Sequence, residues 1–184
     1  WPDYATRLDH LREKGDESAS GLLAEFVEAG RSSLEMLLKS VDTRQLDEAV
    51  SALAKARTVH IIGLRRSFPI ASYLAYAFEK MKVPAVLHSA VGGLGNVSAI
   101  SQDDALIAIT FSPYSTETLE LAENARSNGI PVVALSDSAV NPLRKSGATL
   151  LTVTEIDFGA FRSLSATLCL AITLAVAVGA RKTA

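Results

Sequence analysis

The sequence predicts an α/β fold in which a five-stranded parallel sheet is sandwiched between helices and is preceded by a helical extension. Two observations carry this prediction. From residue 59 onward, five short runs rich in Val, Ile and Leu do not alternate with polar residues, which is typical of strands buried on both faces. Segments with helical periodicity lie between these runs, and strands that alternate with helices favour a parallel sheet.

The N-terminal part of the chain has helical periodicity. Apolar residues recur at helical spacing over 22–41, and a second helix is predicted to begin at Asp42. Gln45 stands three residues after Asp42, which is a variant of the capping box. We therefore expect a helical linker or dimerisation extension over 1–57 and an effector-binding sheet domain over 58–184.

The sheet domain follows as strands separated by helices. Helical patterns cover Ile70–Lys82 and Thr116–Asn128, and Gly129 is placed to end the second of these helices. The five strands are predicted near 59–63, 84–88, 105–110, 131–136 and 149–153.

The apolar stretch Leu164–Val178 is about fifteen residues long, which is shorter than the roughly 20 residues that a membrane span needs. We expect a buried core helix here, with Cys169 inside it as an inert core residue. The N-terminus is charged and contains no apolar segment typical of a signal peptide, so a soluble cytoplasmic protein is expected.

Composition excludes several classes of protein. The 18 basic and 20 acidic side chains give a net charge of −2, and residues 1–58 carry 8 basic and 11 acidic residues, so nucleic-acid binding by this chain is not expected. A single cysteine excludes an intrachain disulfide framework, and with only three scattered histidines beside it we expect no structural zinc site. The glycines of the sequence form no Walker or dinucleotide-binding fingerprint, and we expect no cofactor.

Three loops that follow predicted strands carry the candidate binding residues. The first contains Arg65, Arg66 and Ser67, and two guanidinium groups beside a helix start suit an anion. Solvated arginines and a capping serine are the alternative. The third loop contains Asp137, for which a local turn is the simpler interpretation.

The loop after the third strand is rich in hydroxyl groups. It offers Thr110, Ser112, Ser115 and Thr116 directly before a predicted helix. Hydroxyls and free backbone N–H groups at a helix start suit phosphate or sugar oxygens. A redundant capping segment is the alternative, and by itself the cluster favours ligand binding only slightly.

The order and spacing of these motifs resemble a sugar isomerase (SIS) domain over residues 59–153. The family pattern Gly-x-Gly-x-Ser corresponds to Gly63–Ser67, and Ser-x-Ser-Gly-x-Thr-x-Glu corresponds to Thr110–Glu117. The run from Ala134 to Thr149 is similar to the family's fourth and fifth strands. The helical lead-in, opening with Trp1-Pro2-Asp3-Tyr4, resembles the linker of RpiR-type (MurR/RpiR) bacterial regulators. The resemblance implies a flavodoxin-like SIS fold.

Two positions depart from that family pattern. Arg65 replaces the second glycine of the first loop, and Pro113 replaces the glycine of the second loop, which removes a backbone N–H donor. The hydroxyls of Thr110, Ser112 and Ser115 remain. Such a site is still expected to prefer an anion, although not necessarily a sugar phosphate in the usual pose.

The resemblance implies an effector-binding and dimerisation domain of a transcriptional regulator, which senses a phosphosugar or related sugar acid. DNA contact would come only from a helix-turn-helix domain absent from this chain. The alternative is an aldose–ketose isomerase, for which Glu155, Asp157 and His88 are the candidate acids and bases. A pure dimerisation module without a ligand is a third hypothesis. We expect a homodimer, because the early helices and the apolar segment near the end carry more apolar surface than the sheet needs.

Overall fold

The computed structural model describes residues 3–13, 18–89, 100–145 and 147–182. Trp1 and Pro2, which belong to the motif that resembles the regulator linker, lie outside these ranges. One parallel sheet has the strand order β2-β1-β3-β4-β5. Its strands are β1 (Val59–Gly63), β2 (Ala85–His88), β3 (Ala105–Ile109), β4 (Val132–Ser136) and β5 (Thr149–Thr152). All four neighbouring pairs are parallel, so the predicted sheet is confirmed.

Helices cover both faces of the sheet, and a small antiparallel hairpin follows it. The hairpin consists of β6 (Asp157–Phe158) and β7 (Phe161–Arg162). The helices in the described ranges are α1 (Tyr4–Glu13), α2 (Ala19–Ser40), α3 (Thr43–Lys55), α4 (Phe68–Lys80), α5 (Thr116–Ser127), α6 (Pro142–Lys145) and α7 (Ser165–Lys182).

Alternate residues of the central strands point into two separate cores. Ile61 and Ile107 belong to the larger core, which α3, α4 and α7 also line. Ile62 and Leu106 belong to the smaller core beneath α5 and α6. The central strands are therefore buried on both faces, which explains why their sequences do not alternate between apolar and polar residues.

Local signals place the helix ends close to their predicted positions. Asp42 caps α3, because its Oδ1 accepts hydrogen bonds from the amides of Arg44 (3.0 Å) and Gln45 (3.1 Å). The Gln45 side chain donates to Asp42 Oδ2 at 3.3 Å, and its Oε1 accepts from the Leu150 amide of β5 at 3.2 Å. Gly129 follows α5 with a φ of 75°, a conformation that glycine adopts without strain.

The N-terminal helices differ in how they contact the domain. In α3, Ala49, Val50 and Leu53 are buried in the larger core, so that core includes residues on both sides of the predicted boundary at 57/58. By contrast, α1 contains no buried residue. The boundary itself stays a prediction.

Helix α7 packs against α3 and α4, as expected of a core helix. By length and composition it could also span a membrane, and it is the one such helix in the described residues. One face is buried, including Leu170, Leu174 and Val178. The prediction that Cys169 lies in the core is wrong, because this residue is exposed. An all-round apolar sequence does not reveal which face of a helix packs.

Candidate functional site

A cavity of about 400 Å³ opens at the carboxyl ends of β1 and β3. From β1 the chain continues to β2 on one side of the sheet, whereas β3, β4 and β5 follow on the other side. Ligands of open α/β sheets bind at such a topological switch point. We call it the arginine cavity. It is lined by Tyr4, Arg7, Leu64, Arg65, Arg66, Ser67, Thr110, Phe111, Ser112, Pro113, Ser115, Ala160, Phe161 and Arg162.

The loop after β1 brings its backbone close to the next helix. A Cβ at Gly63 would stand 2.9 Å from the Ser67 carbonyl oxygen, so only glycine fits there. Arg65 occupies the left-handed region with a φ of 53°, at the position where the resembled family pattern has glycine. Its exposed side chain reaches Glu117 at 3.4 Å. Ser67 is buried at the start of α4, but its side chain makes no capping hydrogen bond.

Arg66 is the half-buried arginine of this loop. Its guanidinium carbon lies 5.1 Å from the centre of the Phe111 ring, a cation–π contact that orients the side chain. Burial lowers the pKa of Arg66 from its usual value, and the positive charges of Arg162 and Arg7 lower it further. The Asp137 carboxylate acts on this pKa in the opposite direction. Guanidinium groups that face one cavity repel one another, and a bound anion would relieve this repulsion.

The loop after β3 uses part of its hydroxyl set to hold its own shape. Thr110 Oγ1 accepts a hydrogen bond from the Ser115 amide at 2.9 Å. Ser115 Oγ accepts from the Thr118 amide at 3.3 Å, which caps α5, and donates to Glu117 Oε2 at 2.7 Å. Ser115 is thus a helix cap, as the alternative interpretation expects, but Thr110 and Ser115 also line the cavity.

Asp137, in the loop after β4, connects two walls of the site. Its Oδ2 accepts from the Ser112 amide at 3.1 Å and from Arg162 Nη1 at 3.4 Å. Burial raises the pKa of Tyr114, and the neighbouring Asp137 carboxylate raises it further. Asp137 is therefore a positioning residue for this loop rather than the centre of the local turn that its sequence favours.

The structure brings six of the seven predicted binding residues to one cavity. Thr116 differs, because it is exposed on α5 and does not line the arginine cavity. Sequence reasoning missed Tyr4, Arg7, Phe161 and Arg162, which α1 and the β6–β7 hairpin contribute. No local signal marks them, because their role depends on long-range packing.

Glu155, the candidate base, is engaged as a helix cap. Its Oε1 accepts from both the amide and the hydroxyl of Thr167, each at 2.7 Å, and its Oε2 accepts from Ser163 Oγ at 3.2 Å. It lines a second cavity of about 230 Å³, which shares Arg66 and Arg162 with the arginine cavity. The bond from the Thr167 amide satisfies one of the backbone donors in the first turn of α7.

Asp157, the second candidate carboxylate, is exposed in β6, lines the same second cavity and lies 4.0 Å from Arg162.

His88, the third candidate, belongs to a separate group that we call the histidine cluster: Arg57, His60, His88 and Asp104. His60 Nδ1 lies 2.9 Å from His88 Nε2, and His60 Nε2 lies 3.2 Å from Asp104 Oδ2. Burial lowers the pKa of His88, and His60 contributes to the same shift. None of these residues lines the arginine cavity. Within the described residues, no group of three His, Cys, Asp or Glu side chains could hold a metal ion.

A doubly wound parallel sheet in the order 2-1-3-4-5, with hydroxyls and arginines at its switch point, is an architecture that α/β domains use to bind small molecules. The family model described as the SIS domain matches residues 52–177, and the chain belongs to this family. The resemblance inferred from the sequence motifs is thereby confirmed.

Similar proteins include bacterial transcription regulators. An uncharacterised HTH-type transcriptional regulator of Clostridium perfringens is 25% identical over 153 residues, which cover 83% of this chain and 55% of the relative. The sugar isomerase domain of the RpiR transcription factor from Sphaerobacter thermophilus has a TM-score of 0.82 at 20% identity, covering 88% of this chain and 92% of that domain.

A further solved structure carries a ligand. The Vibrio vulnificus NanR protein complexed with ManNAc-6P has a TM-score of 0.77 at 25% identity, and the match covers 95% of this chain and 66% of NanR. The chain spans about half the length of the curated relatives it matches.

Proposed function

We propose that this chain is the effector-binding part of a transcriptional regulator and that it senses a phosphosugar or a related sugar acid. One observation carries the proposal. The described residues that line the arginine cavity include four arginines and no carboxylate, and three hydroxyl side chains from the β3 loop stand among them.

The chemistry of the cavity favours a small anion with hydroxyl groups. Guanidinium groups form charge-assisted, often bidentate hydrogen bonds with phosphate and carboxylate. The starts of α4 and α5 add oriented backbone N–H groups at the same edge of the sheet. A volume of about 400 Å³ matches a single small metabolite. We propose that Arg65, Arg66, Ser67, Thr110, Ser112 and Ser115 contribute to the contact.

Sensing is better supported than isomerisation. Glu155, one of the two candidate carboxylates, accepts three hydrogen bonds from the start of α7 and its preceding loop, and the other, Asp157, lies 4.0 Å from Arg162. The relative from Clostridium perfringens is a transcriptional regulator by name, and NanR was solved with a phosphosugar. Both facts support an effector domain here.

Ligand binding tests this proposal directly. Calorimetric titration with ManNAc-6P, arabinose 5-phosphate and inorganic phosphate should reveal at least one ligand for the parent chain. Arg66→Ala should weaken binding by about tenfold or more, because a charge-assisted hydrogen bond is worth roughly 1.5–3 kcal/mol. Ser112→Ala should cost about 1 kcal/mol. Arg44→Ala serves as the control, since Arg44 is exposed on α3 away from the cavity.

Two results would contradict the proposal. If the parent binds none of the three probes, the arginine cavity is not a phosphosugar site. If an NMR time course shows aldose–ketose conversion of a bound phosphosugar, the domain is an isomerase instead.

We also propose that the chain forms a homodimer through α2. One stripe of this helix is apolar and exposed: Leu23 (65% exposed), Val27 (61%), Leu34 (41%) and Leu38 (82%). Residues on another face of α2, such as Ser33 and Leu37, are buried against the domain. An exposed apolar stripe on an otherwise docked helix is typical of an interface.

Sedimentation distinguishes the monomer from the dimer. The parent should sediment as a dimer at micromolar concentration, and the double variant L23E/L38E should be monomeric. The matched control E25A/E28A changes exposed polar positions of the same helix and should leave the dimer intact. A stable parent monomer would contradict this part of the proposal. We further propose a cytoplasmic location and DNA contact through a helix-turn-helix domain outside these 184 residues.

A further inference from the structure

Helix α1 supplies part of the wall of the arginine cavity. Tyr4 and Arg7 line the cavity together with Arg66 and Arg162, which belong to the sheet domain and its hairpin. The guanidinium carbon of Arg7 lies 4.7 Å from the centre of the Tyr4 ring. The Tyr4 ring in turn lies 5.8 Å from that of Phe161 in β7. Arg7 is therefore held at the mouth of the cavity by an aromatic contact to the hairpin.

Helix α1 lies on the surface of the molecule. No residue of α1 is buried, and Tyr4 is 63% exposed despite its contact with Phe161. Apart from the Tyr4–Phe161 contact, Leu11 approaches the position that a Cβ on Gly159 would occupy, at 3.4 Å. Both contacts are to the turn and strands of the hairpin. Little apolar area is thus available to hold α1 in place when the cavity is empty.

The charges of the cavity come from three separate elements. Arg66 lies on the β1 loop, Arg162 on β7 and Arg7 on α1, and the two latter charges both act on Arg66. Arg162 is compensated by Asp137 at 3.4 Å and by Asp157 at 4.0 Å. An anion placed between the three guanidinium groups would replace their mutual repulsion by attraction.

We propose that α1 is part of the effector site, in which Arg7 joins Arg66 and Arg162 in binding the anionic group of the ligand. The bound ligand then bridges α1 to the sheet domain and holds the helix down. This inference rests on the proposed function and adds both a binding residue and a coupling: ligand occupancy controls the order of the first described helix. Because coupling is reciprocal, a docked α1 also raises the affinity for the ligand.

Calorimetry tests the binding role of Arg7. With whichever of ManNAc-6P, arabinose 5-phosphate and inorganic phosphate binds the parent, Arg7→Ala should weaken binding by about tenfold or more. Arg12→Ala is the matched control on the same helix, since Arg12 is exposed, pairs with Asp9 and does not line the cavity. It should change the affinity by less than about twofold. Circular dichroism and thermal melting should show that both variants fold like the parent, because neither side chain is buried.

Hydrogen exchange tests the coupling. The amides of residues 4–13 should exchange more slowly when the same probe is bound, and this protection should be lost in Arg7→Ala at saturating probe. If Arg7→Ala binds like the parent and α1 exchange does not respond to the probe, the role of α1 is wrong while the proposed function stands. If the parent binds none of the three probes, the proposed function itself falls and this inference falls with it.

Discussion

Two polar clusters lie along the same pair of central strands, and they differ in almost every physical respect. The arginine cavity is open, cationic and located at the carboxyl ends of β1 and β3. The histidine cluster lies on the flank of β1, with Asp104 at the amino end of β3, and its members mainly bind one another. A cluster of titratable side chains therefore does not by itself indicate a binding site. Side chains whose hydrogen-bonding partners lie within the protein have less capacity left for a ligand.

The charge balance of the two clusters explains the difference. In the histidine cluster, Asp104 accepts from the Ser101 amide at 2.8 Å, lies 3.2 Å from His60 and pairs with Arg57 at 3.3 Å. Burial raises the pKa of Asp104, but these partners outweigh it and hold the pKa below its usual value of 3.8. At the arginine cavity, Arg65 pairs with Glu117 and Arg162 with Asp137, but no carboxylate is among the described lining residues. The first cluster stabilises the fold, and the second has a charge that a ligand can neutralise.

The largest expected effect is on the histidine cluster. Asp104→Ala should lower the free energy of unfolding by about 3 kcal/mol, because it leaves a buried histidine and a backbone amide without their shared acceptor. Urea denaturation measures this change. Asp103→Ala is the matched control, since Asp103 is exposed beside it, and should change stability by less than about 0.5 kcal/mol. Equal effects of the two variants would contradict the conclusion that the histidine cluster stabilises the fold.

Glu155 adjoins the arginine cavity, but its partners lie within the protein, as those of the histidine cluster do, and we expect it to contribute to stability. Glu155→Ala should lower the free energy of unfolding by about 1–2 kcal/mol, because α7 loses its capping carboxylate. Thermal or urea denaturation checks this result. Glu120→Ala, an exposed position on α5, should be close to neutral. If Glu155→Ala leaves stability unchanged, the carboxylate has some other role than capping.

The histidine cluster also predicts a pH dependence. The pKa of His88 is lowered below 6.5 in the folded protein, so the unfolded chain binds more protons than the folded one just below that pH. Stability should therefore fall as the pH drops from about 6.5 through the lowered pKa. In His88→Asn this loss should be smaller, whereas His10→Gln, at an exposed position of α1, should behave like the parent. Denaturation curves at pH 7.5 and 5 measure the difference.

The smallest expected change in stability comes from the backbone conformation of Arg65, which lines the arginine cavity. Arg65 has a φ of 53°, which costs a non-glycine residue roughly 1 kcal/mol. Arg65→Gly should raise stability by about 0.5 kcal/mol, since the greater freedom of glycine in the unfolded chain offsets part of that gain. Arg65→Ala keeps the strain and should bring no gain. A stabilisation by both variants would show that the arginine side chain, rather than the backbone, is unfavourable.

The fold could be predicted from the sequence because the patterns that indicate its strands and helix ends are local. The five apolar runs, the cap at Asp42 and the glycine after α5 each report on a few adjacent residues, and each agrees with the structure. The loops after β1 and β3 were also identifiable, because parallel strands bring their carboxyl ends to one edge. Arg7 and Arg162 were not, since only tertiary packing places α1 and the hairpin over that edge. The same limit applies to Cys169, whose exposure depends on which face of α7 packs.

Gln45 affects the edge of the sheet as well as the start of α3. Its amide group ties the first turn of α3 to β5, where its oxygen accepts the Leu150 N–H. β5 is a terminal strand, and unpaired amides on such a strand offer a template on which another chain can add by strand pairing. With that amide occupied by a side chain, β5 is less able to recruit a further strand. Gln45 thus covers one of the positions through which the edge of the sheet could be extended by another chain.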